Sequence, residues 1–164
     1  MNGAVITSAI LRPDAMCSPD DHDIDARVIT LDHIAQRLAM CPANAWLGLI
    51  PEAIEDAGVL FRIPVRPEMA GSPVTGAMHG GMVAALIDTL CTFAWLAHNR
   101  GRVSTVDMRI DFHRPITADQ LLGRGRLVRA GRKIVTADGE ITALDGTLLA
   151  SGRAVFVPYP DTSN

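Results

Sequence analysis

Residues 76–98 read GAMHGGMVAALIDTLCTFAWLAH, and this stretch decides the fold. From Gly80 to His98 the spacing predicts one long helix, apolar almost all round, with Asp88 as its single formal charge through Ala97. A helix without a polar face has to be enclosed by the rest of the chain. It makes a poor bilayer span, because a span needs about 20 mostly apolar residues and a mid-span carboxylate is costly there. Immediately downstream the period changes to two. Val106, Met108, Ile110 and Phe112 alternate with Asp107, Arg109, Asp111 and His113, the pattern of a strand with one wet face. This parity places Thr105 with the polar set of Asp107 and Arg109.

Working outward, further strands are predicted at about 121–129, 134–144 and 148–157. The turns Ala130-Gly131-Arg132 and Asp145-Gly146-Thr147 join them. Upstream, a short helix is predicted over 31–41, with Thr30 as its N-cap and Pro42 as its stop. Two strands follow, at about 46–54 and 59–65, around the turn Asp56-Ala57-Gly58. Pro51 marks the first as irregular or as an edge strand. The order is helix, two strands, long helix, then four strands in a meander. An antiparallel sheet curled around one helix is the simplest enclosure, and it makes an α+β fold. Residues 1–29, with Pro13, Pro19 and the acidic run Asp20–Asp25, are expected to form a flexible tail. Residues 30–164 are expected to form a single domain.

Composition excludes several classes. The chain has 164 residues, a formal charge of −3 and 4% aromatic content, which argues against a nucleic-acid binder. Cys17, Cys41 and Cys91 form no CxxC pair, a poor disulfide or zinc framework that suits a reducing compartment. His22, His33, His98 and His113 have no metal-ligand spacing, so neither metal nor other cofactor is expected. No basic start of an export signal precedes the short apolar patch at 4–11. The expected location is the cytoplasm, with no membrane partner.

The chemistry-bearing residues gather on the long helix. Gly80 and Gly81 at its start leave backbone N–H groups uncovered where the macrodipole is positive, which suits a polarised carbonyl. The same glycines also serve a tight turn or close packing. Asp88 is either a carboxylate satisfied by a neighbouring hydroxyl or one held in an apolar wall for chemistry. Eight residues of helix separate it from Gly80 by about 12 Å. An attacking group and an oxyanion donor must both lie about 3 Å from one reacting atom. If both residues act, they therefore come from two copies of the helix running antiparallel, the relation a two-fold dimer supplies.

His79-Gly80-Gly81 with Asp88 resembles the signature of the PaaI-like hotdog thioesterases. The segment from Ser104 to Pro115, STVDMRIDFHRP, resembles the strand and Arg-Pro turn that follow in that family, and residues 128–132 and 148–152 resemble its later strands. The resemblance covers about residues 45–157. It implies a hotdog fold, a homodimer that often pairs into a dimer of dimers, and hydrolysis of acyl-CoA or aryl-CoA thioesters. It implies that Gly80 polarises the thioester carbonyl and that Asp88 of the partner subunit is the nucleophile or general base. Thr105 would position the water, and His79 would orient the loop or bind the thioester end. Many members carry an Asn six residues before this His; here the position is Pro73, so either His79 or Thr105 covers that role or activity is weak.

Residues 99–157 hold ten basic and six acidic side chains. Arg124, Arg126, Arg129, Arg132 and Lys133 lie around one hairpin, as partners for CoA phosphates or as a solvated face. Gly81, Arg129, Gly131 and Arg132 are the expected substrate contacts. Two other readings stay open: a non-catalytic acyl-CoA-binding hotdog protein, and a hotdog hydratase or dehydratase. An α/β-hydrolase is excluded by the lack of a G-x-S-x-G motif and by the short chain.

Overall fold

Thr30 caps the first helix by a reciprocal exchange. Its Oγ1 accepts from the His33 amide at 3.3 Å, and the Thr30 amide donates back to His33 Nδ1 at 3.2 Å. The helix it starts, α1 (Leu31–Met40), buries Ile34 and Leu38. The structure is a computed structural model that describes residues 29–99 and 101–159. All of the expected N-terminal tail except Ile29, including its acidic run, lies outside the described residues.

Pro42 does more than end α1. It opens a second helix, α2 (Pro42–Leu47), where the sequence reading placed the start of a strand. Proline suits the first helical position, because its missing N–H would have no intrahelical partner there. Gly48, at φ 72°, then turns the chain out of α2. Strand β1 is consequently shorter than expected, Ile50–Glu55, and pairs with β2, Gly58–Pro64. A 3₁₀ turn, Pro67–Met69, leads toward the long helix α3, Gly80–Asn99. Four strands complete the chain: β3 (Val103–Phe112), β4 (Gln120–Ala130), β5 (Val135–Thr142) and β6 (Leu148–Pro158).

The sheet is wholly antiparallel, in the order β1-β2-β4-β5-β6-β3. Only β4, β5 and β6 form the expected meander. β3 instead lies at the far edge, beside β6. The connection 113–119 carries the chain across the sheet from β3 to β4. Three strand spacings of about 4.8 Å are within reach of its seven residues, which extend to about 23 Å. Midway, the Ile116 carbonyl accepts from the Met78 amide at 2.9 Å, so this connection passes the start of α3.

α3 fills the concave side of the sheet, packing mainly on β4, β5 and β2. Leu86, Ile87, Leu90 and Phe93 are buried against residues such as Phe61, Ile63, Leu121, Ile141 and Phe156. Phe61 and Phe93 meet edge to face at 5.9 Å. Close approach of helix and sheet requires glycine at Gly125, where a Cβ would collide with the Leu90 carbonyl. Cys91 is sealed between helix and sheet. Its Sγ donates to the Ala137 carbonyl at 3.5 Å, and burial pushes its pKa up to about 12. By length and composition Gly80–His98 is apolar enough to cross a membrane; here it is the core helix of the sheet.

Candidate active site

The loop before α3 is tied at its base. Ala70 and Met78 form a bridge, and the Gly71 amide donates to the Ala77 carbonyl at 2.8 Å. Pro73 lies on the exposed part of this loop, where its side chain offers no polar group. His79 then acts as the cap of α3. Its amide donates to the Met69 carbonyl, and its carbonyl accepts from the Met82 and Val83 amides. Its Nδ1 accepts from the Gly81 amide at 2.9 Å, so that nitrogen is unprotonated in this arrangement. The Gly81 amide, an expected substrate contact, is thus occupied by the ring two residues earlier. The Gly80 amide meets no acceptor among the described residues.

A pocket of about 330 Å³ opens beside Gly80. Phe112, at the end of β3, forms part of its wall, and a Cβ on Gly80 would lie 3.5 Å from that ring. His113, Arg114, Pro115 and Ile116 border it from the crossing connection. These five residues were given no site role in the sequence reading, although the first four are the FHRP segment that carries part of the resemblance. Position relative to Gly80 depends on where β3 sits in the sheet, and local pattern does not contain that.

Asp88 lies two turns along α3, half-buried, and Thr105 donates to its Oδ1 at 2.8 Å. The expected strand parity is wrong at this point. Thr105 pairs with Phe156 and Asp107 with Val155, so Val106 is an extra residue, a β-bulge. Phe156 is fully buried on the helix side. Thr105 therefore faces the helix, while Asp107, Arg109 and Asp111 face outward. The bulge is what brings the hydroxyl to the carboxylate.

The basic hairpin divides into two groups. Arg124 pairs with Glu55 at 3.0 Å, and Arg126 lies 3.7 Å from Asp138, which Arg153 also holds. Both are committed to the outer sheet face. Arg129, Arg132 and Lys133 are exposed and have no acid partner among the described residues. Gly131 closes the tip, its amide donating to the Ile134 carbonyl at 3.0 Å. The register Ala130–Val135–Phe156–Thr105 sets this tip at the Thr105 end of the sheet, the end that also holds Asp88. Gly80, Phe112 and the pocket lie at the opposite end. One chain thus separates the end that carries the Gly80 amide from the end that carries Asp88 and the exposed cations. Among the described residues no group of three or more His, Cys, Asp or Glu is placed to hold a metal ion.

Residues 75–150 match the sequence pattern of the thioesterase superfamily. A medium/long-chain acyl-CoA thioesterase, YigI of Salmonella typhimurium, is 28% identical over 131 residues, spanning 71% of this chain and 84% of the relative. A solved thioesterase from Haemophilus influenzae superposes with a TM-score of 0.73 at 22% identity, covering 84% of this chain and 96% of that one. A solved protein of the thioesterase superfamily superposes with a TM-score of 0.73 at 31% identity, covering 77% of this chain and 96% of that one. Matching in sequence, in the sheet wrapped around α3 and over nearly the whole of that structure, the chain belongs to the hotdog-fold thioesterase superfamily.

Proposed function

We propose that this protein hydrolyses acyl-CoA thioesters at a site built from two copies of the chain, in the manner of the PaaI-like branch. The observation that carries the reading is the Gly80 amide. It is unpartnered, sits at the positive end of a 20-residue helix and opens onto a pocket. A thioester carbonyl placed there develops negative charge as water adds, and the amide meets that charge. The carboxylate that activates water, or attacks directly, is the partner subunit's Asp88. Its own Thr105 hydroxyl holds one oxygen and leaves the other for the reaction.

The position of β3 at the sheet edge supports this assembly, because it leaves β3 free for a two-fold pairing with its copy. That pairing sets the Thr105 end of one chain against the Gly80 end of the other. Arg129 and Arg132 come from the same partner as the carboxylate, and they meet the CoA phosphates. His79 fixes the helix start rather than the water. The cytoplasm is the location we assign to this activity.

The test is release of free thiol from acyl-CoAs by wild type and Asp88→Asn. Hydrolysis by wild type, with a loss of about 10²–10⁴-fold in the variant, is the expected result. Equal turnover would remove Asp88 from the mechanism. Pro73, in place of the family's Asn, gives the non-catalytic binder its one support; tight CoA binding without turnover would establish that alternative.

A further inference from the structure

The hairpin between β4 and β5 ends in Val128-Arg129-Ala130-Gly131-Arg132-Lys133-Ile134, which holds three cations and no acid. Val128 is 46% and Ile134 39% exposed, so two large apolar side chains stand in water beside the cations. A bulge puts Val128 there. Leu127 pairs with Ala137 and Arg129 with Thr136, which leaves Val128 as an extra residue outside the ladder. The strip continues onto the neighbouring strand end. Val135 pairs with Phe156, so Ile134 adjoins Val157, and Tyr159 follows with Arg102 over its ring at 5.5 Å. Val157 and Tyr159 are exposed as well. Three acids stand at this end by register: Asp107 beside Val155, Asp56 before the Ala57 carbonyl that accepts from the Leu127 amide, and Asp88, held by Thr105 on the helix side. Among the described residues none of them pairs with a tip cation. The other hairpin turn, between β5 and β6, is the contrast: residues 144–147 expose Leu144 but carry Asp145 and no cation.

We propose that this hairpin tip docks the protein on an anionic lipid surface. Lipid phosphates draw Arg129, Arg132 and Lys133, and the apolar side chains of Val128 and Ile134 enter the headgroup boundary. Charge argues against a second copy as the occupant, because two tips in contact would set three cations against three. Residues 128–130 and 132–134 are all exposed, so the tip is a protrusion and not a groove for a peptide. The sequence reading expected no membrane partner because no segment suits a span, and a surface contact needs none. The docking is independent of the reaction assigned to Gly80 and Asp88. Arg129 and Arg132 also meet CoA phosphates in the proposed site, whereas Val128 and Ile134 have no part in it.

The test is co-sedimentation of the full chain with vesicles of phosphatidylcholine alone and of phosphatidylcholine mixed with phosphatidylglycerol. At low ionic strength, partitioning onto the anionic vesicles is expected to exceed that onto the neutral ones by about 100-fold, at about fivefold per tip cation. The preference should shrink as salt is added. Lys133→Ala should weaken binding to the anionic vesicles about fivefold. Val128→Ser with Ile134→Ser should weaken it about tenfold or more, while melting temperature and thiol release from butyryl-CoA in free solution stay unchanged. Equal partitioning onto both vesicles, or none onto either, would overturn the proposal. So would vesicle binding by the folded double variant as tight as wild type, which would reduce the effect to charge alone. Binding to poly-glutamate as tight as to anionic vesicles would assign the tip to an acidic protein and overturn it. A change of assembly state in the double variant without lipid would assign the tip to a contact between copies, and overturn it too.

Discussion

β1 and β3 close the same sheet at opposite edges, and their sequences treat the open backbone differently. β1 is short and contains Pro51, which has no N–H to offer. A bulge between Pro51 and Ala53 breaks its ladder, Glu52 is tied to Arg62 at 2.6 Å, and α1 packs against it. β3 also carries a bulge, at Val106, and an ion pair, Arg109–Asp111, but it runs for ten residues with no proline and leaves Val106 57% and Phe112 60% exposed. Proteins normally blunt such edges, because a free edge is a template for another strand. Here one edge is blunted and the other is left open. The open edge is also where the groups of the proposed site collect, with Asp88 and Thr105 at one end and Gly80 and Phe112 at the other. That exposure is what the proposed two-copy site requires.

The comparison can be broken most severely at the reacting groups. Asp88→Asn is expected to cost about 10²–10⁴-fold in kcat, read by thiol release, with little change in melting temperature. Gly80→Pro should cost about 10²–10³-fold. Proline is tolerated at the first position of a helix, so this variant removes the amide donor and keeps α3. Thr105→Val removes the hydrogen bond to Asp88 and should lower kcat about 10–100-fold, with Thr105→Ser restoring most of it.

The two edges themselves are compared with matched charges. Val106→Lys places like charges near a self-paired β3 edge and should weaken the dimer by about 30-fold in its dissociation constant, read by analytical ultracentrifugation. Ile50→Lys, equally exposed on β1, should leave both assembly and activity unchanged. The smallest effect is expected at the hairpin. Arg129→Ala with Arg132→Ala should raise KM by about 3–10-fold at low ionic strength and less in high salt, without changing kcat.

Much of this was legible in the sequence, for reasons that differ by residue. α3 declared itself as a long run, apolar almost all round, with one carboxylate. Thr30 and Pro42 marked a helix boundary correctly, and the Asp145-Gly146 turn joins β5 to β6, with Gly146 at φ 86°. The helix that Pro42 also starts was missed, since proline serves equally as a stop and as a first residue. The place of β3 beside β6 was not readable, because pairing across the sheet depends on the path of residues 113–119. The bulge at Val106 hid the facing of Thr105, since alternation is counted on the assumption that no residue is extra. Arg124 and Arg126 looked like phosphate partners until pairing set Glu55 and Asp138 beside them. Of the proposed site, the sequence reading named Gly80, Asp88 and Thr105, and it gave no place to Phe112 and the chain after it, which border the pocket beside Gly80.

Complementation between two inactive chains tests the shared site most directly. Asp88→Ala keeps Gly80, and Gly80→Pro keeps Asp88. When equal amounts are unfolded together and refolded, each mixed dimer gains one site with both groups intact. Random pairing then restores about a quarter of wild-type thioesterase activity. Mixed dimers that form and remain as inactive as either parent would contradict the account, because Gly80 and Asp88 would then have to act from the same chain.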